Sequence, residues 1–325
     1  MEPVLPTFII VGAARSGTTT LYRWLMEHPD VYMSPVKETN YFTSDLVSLN
    51  GPGDKQAIVS ELPRIRTGNG GFKETHAAII SALVDYCALF RAGRSYNIRG
   101  ECSPSYLYYA RYAAERIKQR IPKCKIIIFL RDPIERAFSN YKALLASGRE
   151  HLSFEEALAS TKQRMRKGWE HFWDYLGLGL YYEQVKYYLE TFSEKQVGIW
   201  LYEDMVSAPS LVMQQVFRFI GARDNVYIEP RAYNVSPSKV SSVRLWVRRH
   251  KLATHTAKYF MPKLVRRHIS EILDSWFSKE ITLQQETRKW LLDFYKDDIL
   301  KLHALLPRLR VTRWIEIQER RIHGN

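Results

Sequence analysis

The sequence predicts an α/β protein of three layers, α/β/α, around a central parallel sheet with a P-loop-like phosphate-binding loop. Strand-like apolar runs at Phe8 to Val11, Lys125 to Leu130 and Val197 to Leu201 are separated by long helix-patterned stretches. That alternation marks parallel strands covered by helices. The first run feeds a glycine-bounded turn that opens a helix, and the second feeds Arg131-Asp132-Pro133, a helix start. With 325 residues, 46% of them hydrophobic and 13% aromatic, the chain can bury a large core, and residues 1–325 read as one domain.

The turn Gly12-Ala13-Ala14-Arg15-Ser16-Gly17 has the glycine spacing of a nucleoside-triphosphate loop. In such a loop a lysine follows the second glycine and reaches the β and γ phosphates, and the next hydroxyl holds Mg²⁺. Here Thr18 takes the lysine position and the cation, Arg15, lies inside the turn. The layout suits a nucleotide whose 5′ end carries a short anionic group, held without metal by amides, one guanidinium and the hydroxyls of Ser16, Thr18, Thr19 and Thr20. A helix follows from about Gly17, with Leu21, Trp24 and Leu25 as its buried face, and Pro29 ends it.

A short strand-like piece, Val31-Tyr32-Met33, returns the chain toward the sheet edge and places Glu38 near Arg15. Residues 44–71 hold Gly51-Pro52-Gly53, Pro63 and Gly68-Asn69-Gly70-Gly71 and read as a loop-rich insertion. After the second strand, Asp132 caps a helix, Pro133 takes its first position and Glu135 completes a capping box. Arg131 is thereby delivered to the carboxyl edge of the sheet, where open α/β sheets bind ligands, and Ser139 on the helix faces the same crevice. Arg15 and Arg131 are expected as two separate positive pockets. Residues 231–270 read as a basic helical segment, and Trp290 to Ile317 as a terminal helix through Leu291, Leu292, Tyr295, Ile299 and Leu300.

A formal net charge of +14 favours anionic partners. For 244–267 the readings are a solvated helical face, a contact with an anionic membrane surface, or a clamp for an acidic acceptor; an anionic surface is preferred. No nucleic-acid partner is expected, since no helix-turn-helix, finger or RNA-binding signature accompanies the charge. Cys87, Cys102 and Cys124 form no metal spacing, and no metal site is expected. The unpaired cysteine count and a first strand reached within seven residues point to a cytoplasmic protein, with membrane association through the basic block. His76, His151, His171 and His250 read as surface or satisfied core residues, and Glu101 and Glu203 as ion-paired scaffold.

Two motifs in this order, Gly12 to Leu21 and Ile126 to Ser139, make the sequence resemble the PAPS-dependent sulfotransferases. Supporting segments are Gly100 to Tyr106, Ser153 to Ala157, Gly179 to Tyr182 and Tyr202 to Met205. Lys37-Glu38 ahead of Tyr41-Phe42 is closer to the carbohydrate (heparan-type) and bacterial branch. The resemblance implies transfer of a sulfuryl group from 3′-phosphoadenosine 5′-phosphosulfate (PAPS) to an acceptor hydroxyl on a glycan, lipid or small alcohol, leaving PAP. It implies Glu38 as general base, and Arg15, Ser16, Gly17, Thr18, Thr19 and Thr20 around the phosphosulfate. It further implies Arg131 and Ser139 at the 3′-phosphate, Tyr202 beside the adenine and Lys239 as a phosphate contact. Three positions depart from the family pattern: Arg15 replaces a loop lysine, Asn40 a histidine, and Thr43 an acidic residue. The rival readings are a P-loop kinase or NTPase using Mg²⁺-ATP, and a non-catalytic polyanion-binding module.

Overall fold

Alternate residues of the first strand face two different cores, which is what a strand buried on both faces requires. Ile9 and Val11 join one apolar cluster, Phe8 and Ile10 the other. The same alternation runs through Lys125–Leu130, with Ile126, Ile128 and Leu130 on one side and Ile127 and Phe129 on the other. The structure, a computed structural model, describes residues 3–47, 72–233, 239–241 and 278–324, with the side chains of 239–241 and 278–280 excepted.

The strands in chain order are β1 (Phe8–Gly12), β2 (Val31–Met33), β3 (Val36–Glu38), β4 (Thr75–Ala77), β5 (Ile98–Cys102), β6 (Lys125–Leu130), β7 (Val197–Leu201), β8 (Lys239–Ser241) and β9 (Ser278–Glu280). Five of them form the main sheet in the order β2-β5-β1-β6-β7, with every neighbouring pair parallel. From β1 the chain moves toward β2 and β5 on one side; β6 and β7 lie on the other. The carboxyl ends of β1 and β6 therefore flank the point where the winding reverses, the usual place for a ligand crevice.

The helices are α1 (Thr18–Glu27), α2 (Leu83–Ala88), α3 (Ser105–Tyr108), α4 (Ala110–Arg120), α5 (Pro133–Ala146), α6 (Phe154–Arg166), α7 (Tyr181–Thr191), α8 (Tyr202–Ser207), α9 (Pro209–Ile220), α10 (Gln285–Leu305) and α11 (Arg313–His323). Leu21, Trp24 and Leu25 of α1 are 0%, 3% and 0% exposed, as the helical spacing predicts, and pack with Val212, Val216 and Phe217 of α9. The opposite face is covered by Ala113 and Ile117 of α4, Val185 and Tyr188 of α7, Leu291 and Tyr295 of α10, and Trp314 of α11. Removing a large side chain from either layer costs about 2–5 kcal/mol.

Three expectations need correction. Trp290 to Ile317 is not one helix: Pro307 has no N–H to donate and disfavours helical backbone at Leu306, so α10 ends there and α11 starts afresh. Leu300, expected on its buried face, is exposed. Glu38 comes near Arg15 from outside the main sheet, since β3 pairs in parallel with β4 in a separate ribbon. The stretch 231–270 is not helical throughout, because Lys239–Ser241 finds backbone partners across the chain in β9, antiparallel. The remainder of that expectation, including 244–267, lies outside the described residues, apart from 231–233. So does the insertion 44–71 beyond Ser44 to Val47. Among the described residues no helix is long and apolar enough to cross a membrane.

Candidate active site

The turn after β1 is held in shape by backbone geometry that few residues accept. Arg15 has φ 69 and Gly17 φ 81, and Gly17 forms the N-cap of α1 with no side chain capping the helix. For arginine the left-handed conformation costs roughly 1–2 kcal/mol, a strain that clusters at binding sites. A Cβ on Gly17 would lie 2.1 Å from Met205 Cε and 3.0 Å from Tyr202 Cδ2, so the glycine also lets α8 close on the loop. The first amides of α1 are left for an anion. Ser16 Oγ is fully buried and has no hydrogen-bond partner among the described residues. A buried hydroxyl without a partner costs about 1–3 kcal/mol, and an anionic oxygen in the turn would supply one. Thr18 and Thr19 stand in the first turn of α1, while the Thr20 hydroxyl is engaged elsewhere: it donates to the Tyr233 carbonyl at 3.2 Å and accepts from its amide at 3.1 Å.

The second motif arrives beside the first. Arg131 Nη1 donates to the Arg15 carbonyl at 3.0 Å, and Arg15 Nε donates to Ser139 Oγ at 3.2 Å. The two expected pockets are thus contiguous, bridged by Arg15. The Arg131 guanidinium lies 4.5 Å from the centroid of the Tyr202 ring, a cation-π stack that fixes its plane. Burial, then the charges of Arg131 and Arg136, push the Arg15 pKa down to about 10. Arg136 is itself fully buried, donates to the Tyr175 carbonyl and makes no ion pair among the described residues. Lys142, one turn beyond Ser139, is lowered by burial and by Arg131 and Arg15. Four cations therefore lie within electrostatic reach of one another, and the motif reading overlooked two of them, Arg136 and Lys142.

Asp132 caps α5 as predicted, accepting from the amides of Ile134 at 2.9 Å and Glu135 at 3.3 Å. The capping box does not form. Glu135 is drawn away to Arg288 at 2.8 Å and to Arg321, and Glu203 takes the Asp132 amide at 2.9 Å instead.

Glu38 ends β3 and is ion-paired with Lys37, whose Nζ lies 2.6 Å from Oε1; His76 Nε2 is 3.8 Å from the same oxygen. Burial works to raise the Glu38 pKa, but Lys37 and His76 outweigh it and hold the carboxyl below its ordinary range. Glu38 in turn favours the charged form of Arg15, so both face one electrostatic environment. Among the described residues Glu101 makes no ion pair, contrary to expectation. It is wholly buried and receives hydroxyls from Thr39 at 2.5 Å, Ser103 at 2.8 Å, Tyr106 at 2.7 Å and Tyr86, which anchors the segment next to Glu38. His171 is not a satisfied histidine either: it is buried against Tyr108, with neither ring nitrogen hydrogen-bonded among the described residues. Burial pushes its pKa down to about 4, so the ring is neutral.

Residues 6–225 match the family model of the sulfotransferase family. The chain belongs to that family. Among similar sulfotransferases, carbohydrate sulfotransferase 15 of Rattus norvegicus is 24% identical over 254 residues, covering 66% of this chain and 44% of that protein. The bifunctional heparan sulfate N-deacetylase/N-sulfotransferase 4 of Mus musculus is 25% identical over 322 residues, covering 94% of this chain and 30% of that protein. The chain thus spans less than half the length of these curated relatives. A crystal structure of a sulfotransferase from Alicyclobacillus acidocaldarius superposes with a TM-score of 0.69 at 29% identity, covering 95% of this chain and 98% of that one. This likeness agrees with the three-layer α/β/α sulfotransferase fold.

Proposed function

We propose that the protein transfers a sulfuryl group from PAPS to a glycan hydroxyl, releasing PAP. The observation that carries this reading is the convergence of the two motifs at the carboxyl ends of β1 and β6: Arg131 stacks on Tyr202 and bonds to the Arg15 backbone, while Arg15 reaches Ser139. Arg15 and Arg131 side by side, with Arg136 and Lys142 within electrostatic reach, call for a multiply charged anion, and a nucleotide with phosphate at both ends meets that demand. Arg131 and Ser139 take the 3′-phosphate. The amides of α1, the hydroxyls of Ser16, Thr18 and Thr19, and Arg15 take the phosphosulfate. Thr20 serves indirectly by holding Tyr233. Tyr202 sits beside the adenine, and Lys239, whose strand β8 runs alongside α5, is a further phosphate contact.

In the transfer, the acceptor hydroxyl gives its proton to the Glu38 carboxylate as its oxygen bonds to sulfur. The sulfur–oxygen bond to the 5′-phosphate breaks, and the electron pair leaves with the phosphate oxygen. Arg15 and the loop amides stabilise that departing charge, with no need for Arg15 to give up a proton. A glycan acceptor is supported by the names of similar proteins, which include a human heparan sulfate glucosamine 3-O-sulfotransferase 3B1, 25% identical over 219 residues.

The test uses labelled PAPS with desulfated heparan oligosaccharides as the probe acceptor. The wild-type chain transfers label, and Glu38→Gln lowers turnover by about 10²–10⁴-fold while leaving PAP binding intact, the size of effect expected for a lost general base. Full turnover in Glu38→Gln would remove the base from this scheme.

A further inference from the structure

The C-terminal helix α11 lies beyond the residues that match the family model, yet it reaches the nucleotide crevice at three points. Gln318, 1% exposed, donates from Nε2 to Asp132 Oδ2 at 2.5 Å. Arg313 donates to Asp204 Oδ1 at 2.8 Å and lies 3.9 Å from Glu203 Oε2. Trp314 packs on Tyr181 with ring centroids 6.1 Å apart.

Two of the residues α11 touches, Tyr181 and Glu203, hold the same peptide unit. Tyr181 Oη donates to the Arg131 carbonyl at 2.9 Å, and Glu203 Oε1 accepts from the Asp132 amide at 2.9 Å. Both polar groups of the peptide that carries Arg131 into the crevice are therefore gripped by side chains that α11 braces. Asp132 itself fixes the start of α5 and hence Ser139, and Tyr202, the ring under Arg131, immediately precedes Glu203. We propose that α11 is a strut for the 3′-phosphate end of the crevice, with Gln318 its principal positioning residue. This rests on the functional reading above.

Removing one partner of a buried hydrogen bond leaves the other unsatisfied and frees the geometry the bond held. Gln318 also accepts from Arg288, which in turn holds Glu135 at 2.8 Å, so the strut is tied to α10 as well. Burial, Glu135 and Glu203 push the Asp132 carboxyl up to about 7, whereas the amide of Gln318 works the other way. Without that donor, Asp132 is left with a buried, unpaired oxygen at the foot of α5.

The test is calorimetric titration of the full chain with PAP and with adenosine 5′-phosphate, which lacks the 3′ group. Gln318→Met keeps the side-chain length and removes the hydrogen bond. PAP affinity is expected to fall about tenfold, the equivalent of about 1.4 kcal/mol, with adenosine 5′-phosphate affinity unchanged. Arg313→Met, acting from the Glu203 side, lowers the same ratio and decides the matter if Gln318→Met does not fold. An unchanged ratio, including equal losses for both nucleotides, overturns the strut, because packing alone would weaken both alike. A wild-type chain that binds the two nucleotides equally contradicts the functional reading itself, and the strut falls with it.

Discussion

Lys37 stands next to Glu38 in the sequence, and nothing in the sequence marks the two as partners. Successive side chains on a strand point to opposite faces, so neighbours are the last residues expected to pair. They pair because Glu38 closes β3, leaving its carboxylate free to turn toward Nζ at 2.6 Å. For the proposed base, the consequence is a charge secured in advance. Glu38 must be ionised to accept a proton, and its pKa is held below the ordinary carboxylate range against the pull of burial, chiefly by Lys37. Replacing Lys37 by methionine removes the cation and leaves burial to dominate, so the Glu38 pKa rises and the acid limb of the turnover profile moves to higher pH. A pH series on Lys37→Met measures this directly, and a limb that stays in place contradicts the pairing. The burial of His171, with no hydrogen bond to its ring among the described residues, is equally illegible, since its environment comes from Tyr108, remote in sequence.

Elements whose start and stop are written locally were legible in the sequence. The spans of β6 and β7 and the buried face of α1 agree with their apolar spacing, and Asp132 caps α5 as its residue type implies. Elements set by distant partners were not: the β3–β4 ribbon depends on pairing between segments far apart, and the expected capping box gave way to Glu203, Arg288 and Arg321. The loop into α1 shows both levels at once. Its glycine spacing is readable, but the close approach of Met205 and Tyr202 to Gly17 appears only once β7 delivers α8. Gly17→Ala is expected to destabilise the fold by about 1 kcal/mol or more, since it adds left-handed strain to a contact with no room for a methyl group. It also weakens PAP binding by displacing Tyr202. Thermal melting and titration check both effects; a melting temperature equal to wild type would show that the loop yields freely.

At the scale of the whole molecule, the sheet order decides what the two motifs can do together. Parallel pairing of β1 with β6 brings Arg15 beside Arg131 although 115 residues separate them in the sequence, and the two cores on either face hold that register. The net charge of +14 points to an anionic partner, but not to Arg136 and Lys142 lying within electrostatic reach of Arg15, because that proximity is a product of packing rather than of motif spacing. The surroundings of Glu38 are less legible because they come from short, separate elements, with His76 on β4 and His171 far along the chain. The central claim concerns the donor nucleotide and is tested by titrating wild type and Arg131→Ala with PAP, adenosine 5′-phosphate and Mg²⁺-ATP. Charge-assisted hydrogen bonds contribute about 1.5–3 kcal/mol each, so wild type should prefer PAP over adenosine 5′-phosphate by at least about tenfold, and Arg131→Ala should lose most of that preference. Equal affinities in wild type, or tighter binding of Mg²⁺-ATP than of PAP, would contradict the account.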